Sequence, residues 1–105
     1  MKNAVCVLKF GGTSVGSGER IRRVAEIIVK TLHDPDQAFP VVVVSAMSGV
    51  TDQLLRIARF ACSGDTGAYE QELQLLRQKH IDATDSIIHD TMRRTAFYQE
   101  IEQAV

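Results

Sequence analysis

The sequence has no tryptophan and only two cysteines, two prolines and three histidines. Cys6 and Cys62 lie far apart, with no Cys-x-x-Cys spacing and no clustered histidine, which leaves neither a disulfide framework nor a zinc pattern. Both sit among apolar neighbours and read as buried free thiols, the usage of a reducing cytoplasm. His33, His80 and His89 are scattered over helical stretches as solvated side chains without an evident catalytic partner. An excess of either charge is missing too. The 12 basic and 13 acidic residues leave a net charge of −1, so nothing draws the chain toward nucleic acid or an anionic membrane. No stretch is long and apolar enough for a membrane span. The apolar run after Lys2 stops at Lys9, too short for the hydrophobic region of a secretory leader.

What remains is ordinary globular material. The chain has 105 residues, 45% apolar and 24% charged, enough for one small domain at most. Its most informative stretch is Lys9-Phe10-Gly11-Gly12-Thr13-Ser14-Val15-Gly16-Ser17-Gly18. An apolar, β-branched run over 4–8 precedes it and an amphipathic run from Glu19 follows, an order that reads strand, glycine-rich turn, helix. Such a turn suits a phosphate. Glycines let backbone approach an anion closely, and the N–H groups opening the next helix point at the same spot. Thr13, Ser14 and Ser17 add hydroxyls, and Lys9 adds a mobile charge at the strand's end. The stretch is not a P-loop: Gly11 and Gly16 have the spacing, but Ser17 follows and no lysine does. It is not a dinucleotide fingerprint either, because Ile21 stands where the third glycine belongs.

The continuous run over 4–8 fits a strand covered on both faces. From Glu19 to His33, apolar residues at 21, 24, 25, 28 and 32 make one helical face, with Ser17 or Gly18 as cap. Arg20, Arg22 and Arg23 oppose the helix dipole there. They read either as a solvated face or as extra positive potential beside a phosphate site. Asp34-Pro35-Asp36 ends the helix. Four valines, 41–44, follow Pro40 and suit the middle of a parallel sheet, giving a right-handed strand–helix–strand unit.

The second strand ends in Ser45-Ala46-Met47-Ser48-Gly49-Val50-Thr51-Asp52, again a small-residue turn that opens a helix, with apolar positions 50, 54, 57, 58 and 61. In a parallel sheet both turns lie at the carboxyl edge, where open α/β proteins bind ligands. The competing reading makes Ser48 or Thr51 a helix cap. After the turn cluster 63–67, a helical pattern runs from Ala68 to about Met92, with Tyr69, Leu73, Leu76, Ala83 and Ile87 on one packing stripe and a break suggested at Thr84 or Thr91. Phe97, Ile101 and Ala104 mark a last helical run.

Lys-Phe-Gly-Gly-Thr-Ser-Val straight after a strand resembles the opening motif of aspartate kinases, in the amino acid kinase family. Ser45-Ala46-Met47-Ser48-Gly49-Val50-Thr51 resembles their second motif, in the same order and at the same separation. The resemblance covers 1 to about 64, and the helical stretch to 105 looks like the α-helical insertion of many such enzymes. It implies an α/β fold, a partial three-layer αβα arrangement with a parallel βαβα start, followed by helices. Residues 1–105 would be the N-terminal, incomplete part of a catalytic domain. The reaction implied is transfer of the γ-phosphoryl group of ATP, with Mg2+, to the side-chain carboxylate of L-aspartate, on the way to lysine, threonine and methionine. Lys9 would stabilise the transferring group, Gly11, Gly12, Thr13 and Ser14 would surround the ATP phosphates, and Ser45 and Thr51 would hold aspartate. No residue is expected to ligate a metal. A cytoplasmic, homo-oligomeric enzyme follows, without nucleic-acid or membrane partners. A kinase for another acyl acceptor, such as acetylglutamate or glutamate, and a non-catalytic nucleotide-binding or assembly module remain open as alternatives.

Overall fold

The computed structural model describes residues 4–105; the start of the segment weighed above as a leader lies outside the described residues. The chain divides into two compact units, 1–48 and 49–105. The first opens with strand β1 (Val5–Phe10), helix α1 (Gly18–His33) and strand β2 (Phe39–Val44). The strands pair in parallel with Val5 opposite Phe39 and Phe10 opposite Val44, the α/β start expected. Pro40 fits here because alternate N–H groups of a strand point to opposite sides. Phe39 N donates to Ala4 O (2.9 Å) and Ser45 N to Phe10 O (3.1 Å), so the odd-numbered N–H groups face β1. The N–H that Pro40 lacks would face the free edge.

Side chains along β1 alternate. Cys6, Leu8 and Phe10 are half-buried, and Val5 and Val7 are 64% and 66% exposed. Helix α1 packs on the sheet against β2, with Phe10 lining a hollow beside Val24, which is buried, and with Ile21 and Ile28 half-buried. Ser17 caps α1, its hydroxyl accepting from Arg20 N at 3.3 Å. At the other end the Asp34 carboxylate accepts from Asp36 N at 2.9 Å, an Asx-turn that carries the chain toward β2. Among the described residues of this unit nothing covers the opposite sheet face: Val41 and Val43 stand 44% and 46% exposed beside Val5 and Val7. Among the described residues the valine run pairs only with β1, and β1 is covered on one face.

The second unit is helical, with α2 (Val50–Ser63), α3 (Thr66–Ile87) and α4 (Thr91–Ala104). Gly64 ends α2 in the left-handed conformation (φ 77°), and Asp65 N reaches back to Phe60 O at 3.1 Å, a Schellman-type stop. Asp65 then caps α3 and Asp90 caps α4, each carboxylate accepting a backbone N–H three residues on. Ile57 and Leu76 are buried between α2 and α3. Beside them Gln53 is also buried and donates to the Glu72 carbonyl (3.4 Å) and carboxylate (3.3 Å), so its amide is satisfied. The stripe of Tyr69, Leu73, Leu76, Ala83 and Ile87 is half-buried or buried, as packing requires.

The break suggested at Thr91 is met: α3 ends at Ile87 and Thr91 opens α4. The last helical run departs from the sequence reading in its packed face. On α4 the packed positions are Arg94, Tyr98, Ile101 and Val105, one residue round from Phe97, which is exposed. Polar bonds select that face: Arg94 Nη2 donates to Asp85 O (2.8 Å), Arg94 Nε to Ile88 O, and Tyr98 Oη to the Asp85 carboxylate. The cysteines differ as well. Cys62 is exposed, and Cys6 is half-buried with its thiol 3.8 Å from Ala38 O. No helix is long and apolar enough to cross a membrane, among the described residues.

Candidate functional site

Because Phe10 and Val44 pair at the ends of their strands, the turns 11–17 and 45–48 leave the same edge of the sheet side by side. Gly12 lies against the second turn. A Cβ there would stand 3.4 Å from Ala46 O and 3.7 Å from Ser45 Oγ, an ordinary contact with the second turn. Gly16 is tighter: its Cβ would meet Gly12 O at 3.2 Å, Thr13 O at 3.3 Å and Ser48 Cβ at 3.4 Å. Gly11 differs from both. A Cβ at Gly11 would meet nothing within 4 Å, and its φ is not positive, so neither packing nor backbone conformation asks for glycine.

The first turn is held by its own backbone. Val15 N donates to Gly11 O (3.2 Å), Gly16 N donates to Thr13 O (3.3 Å), and the Val15 side chain is buried. The Arg20 guanidinium reaches back from α1 and donates to the same Thr13 carbonyl at 2.8 Å. Arg22 and Arg23 are spent differently, in exposed i,i+4 pairs with Glu26 (3.8 Å) and Glu19 (3.1 Å). The three arginines that looked alike in the sequence thus divide into one turn contact and two solvated pairs.

Lys9 is exposed on the sheet face that α1 leaves open, and no hydrogen bond or ion pair engages its ammonium among the described residues. Thr13 and Ser14 are exposed beside Gly11. The Ser45 hydroxyl donates to Ala46 O (3.0 Å), which leaves its oxygen lone pairs as the available function. Lys9, Gly11, Gly12, Thr13, Ser14 and Ser45 therefore share one sheet edge. Thr51 belongs to the second unit as the second residue of α2, whose cap is Gly49 (φ 83°) without a side-chain bond. Gly49 takes the cap position, so Thr51 does not cap α2. The sequence placed Gly16 in the turn and Arg20 beside it, but did not show the contacts that each makes. Gly16's contact is with a residue on the other turn, and Arg20's is with a carbonyl seven positions back, so neither leaves a local pattern.

Among the described residues no three histidine, cysteine, aspartate or glutamate side chains converge on a point that could hold a metal ion.

Comparison with known proteins places this arrangement. Aspartokinase 1, chloroplastic, from Arabidopsis thaliana is 38% identical over 104 residues, covering 97% of this chain and 18% of that protein. The bifunctional aspartokinase/homoserine dehydrogenase of Daucus carota is 46% identical over 87 residues, 82% of this chain and 9% of that protein. The aspartate kinase of Pseudomonas fluorescens is 48% identical over 73 residues, 70% of this chain and 17% of that protein. The chain spans less than a fifth of the length of these relatives. The pattern of the amino acid kinase family matches residues 4–101, and the chain belongs to that family.

Proposed function

We propose that this chain is the N-terminal part of an aspartate kinase catalytic domain and carries the half of its active site that holds the ATP phosphates. The relatives named above are aspartokinases, which supports the reaction class. The carrying observation is the open space at Gly11. Glycine is unexplained there by anything among the described residues, and a phosphate oxygen approaching the backbone at that point would explain it. The residues present therefore fit the phosphate groups of a nucleoside triphosphate.

In this reading the N–H groups and hydroxyls of Gly11, Gly12, Thr13 and Ser14 orient the phosphates. The Lys9 ammonium balances charge on the γ-phosphoryl oxygens while the side-chain carboxylate of aspartate attacks phosphorus and the bond to ADP breaks. Ser45 and Thr51 are each assigned a contact with the aspartate substrate. Mg2+ enters as the ATP complex, and no residue of this chain is assigned to it. The product would feed lysine, threonine and methionine synthesis. The 105 residues alone are expected to bind Mg-ATP weakly and to release no ADP in response to aspartate.

The test is Lys9→Ala in an aspartate kinase that carries this segment. Losing one aimed charge should lower kcat by roughly two to three powers of ten. Stability should change by less than about 0.5 kcal/mol, because the side chain is exposed and makes no internal bond. A kcat close to that of the unmodified enzyme would overturn the assignment.

A further inference from the structure

Arg20 was one of three arginines on the first turns of α1, where cations oppose the helix dipole. It alone of the three turns its guanidinium back onto the glycine-rich turn, donating to Thr13 O at 2.8 Å. That carbonyl also accepts from Gly16 N at 3.3 Å. The two donors fix the direction of the Thr13 C=O, and a trans peptide is planar, so the Ser14 N–H on the same peptide points the opposite way. Nothing accepts a hydrogen bond from the Ser14 N–H among the described residues. Ser14 is exposed and lines, with Arg20, Arg23, Phe10, Val24 and Ile27, a hollow of about 340 Å³. A peptide free to flip would alternate between offering a donor and offering a carbonyl to an incoming anion.

We propose that Arg20 is a positioning residue for the phosphate turn: by holding the Thr13 carbonyl it keeps the Ser14 N–H aimed outward as an anion donor. The ligand class is a polyphosphate, and the inference rests on reading this turn as the phosphate site. Arg20 acts through the backbone. It touches no phosphate, and its own charge is a secondary contribution.

Arg23 supplies the internal control. It carries the same charge and lines the same hollow, but bonds to Glu19 instead of the turn. The probe is Mg-ATP, titrated into the 105-residue chain and into its Arg20→Gln, Arg20→Lys and Arg23→Gln variants. Amide shifts of Ser14 and the melting temperature are followed together. Arg20→Gln should weaken binding about tenfold, the scale of one misaimed hydrogen bond to a charged group, and should abolish the Ser14 shift while leaving the melting temperature unchanged. Arg20→Lys should recover part of the affinity, since a lysine can reach the carbonyl without the planar fork. Arg23→Gln should stay within about twofold, the range expected for an exposed, screened charge. Equal affinity in Arg20→Gln and the unaltered chain would overturn the inference and leave the phosphate site standing. Equal weakening by Arg20→Gln and Arg23→Gln would overturn it in favour of a general charge effect. An unaltered chain that gives no Ser14 shift at any Mg-ATP concentration would overturn both the inference and the phosphate reading beneath it.

Discussion

Gly11 and Gly16 are five positions apart in one turn and answer to different demands. Gly16 is needed by the fold, because a methyl group would press on two carbonyl oxygens and on Ser48 Cβ at 3.2–3.4 Å. Gly16→Ala should therefore lower stability by about 1–3 kcal/mol, the usual cost of overpacking, read from chemical denaturation. Gly11→Ala meets open space and should change stability by less than about 0.5 kcal/mol, while Mg-ATP affinity falls because the backbone is no longer bare. The reverse pattern would exchange the roles assigned to the two glycines. Thr51 gives a second contrast. Gly49 occupies the cap position, so Thr51→Ala should spare helix stability and raise KM for aspartate in a kinase carrying this segment, with KM for ATP nearly unchanged. A melting-point loss with unaltered aspartate KM would remove Thr51 from the substrate site. The sequence made Gly11 and Gly16 look equivalent, since nothing local distinguishes a glycine required by a neighbouring turn from one that a ligand would require.

At the scale of elements, the first strand, helix and strand were legible because apolar periodicity and turn chemistry agree over 4–44. The junction of α3 and α4 was less so. Asp90 is a cap residue in plain sight, but the apolar spacing on either side runs on without interruption. Gln53 was hidden for another reason: a glutamine reads as surface until its amide is found against Glu72. The α3–α4 junction carries a pH signature. The hydrogen bond to the Asp85 carboxylate, burial, and the negative charge of that carboxylate push the Tyr98 phenol up from its ordinary value of 10.0, with Arg94 opposing. A group whose folded-state pKa is raised contributes stability that is complete below the unfolded pKa and is lost as pH rises through the folded one. The second unit should therefore keep its Tyr98 contribution at neutral pH and lose it above about pH 10. Melting temperatures measured from pH 8 to pH 11 should fall more steeply in the unaltered protein than in Tyr98→Phe; parallel curves would count against the bond.

Over the whole molecule, strands whose sequence suits a covered sheet stand partly exposed in these 105 residues. Val5, Val7, Val41 and Val43 form an open apolar face beside Lys9, and a two-stranded sheet leaves both outer edges unpaired. Such surfaces favour association. Sedimentation of the 105-residue chain should show concentration-dependent self-association, and Val41→Lys with Val43→Lys should shift it toward monomer; a monomer at all concentrations would contradict this. The valine run was legible as a strand, but how many strands surround it depends on pairing that a local pattern does not encode. The same open face leaves Lys9 at the edge where both turns emerge, so the central claim is that this edge receives the phosphates of ATP. The most direct test is a titration of the 15N-labelled chain with Mg-ATP, alongside Lys9→Ala. The account predicts saturable amide shifts at Gly11, Gly12, Thr13 and Ser14, with at least about tenfold weaker binding when one charge-assisted contact is lost. Shifts confined to other residues, or the same affinity in Lys9→Ala, would contradict it.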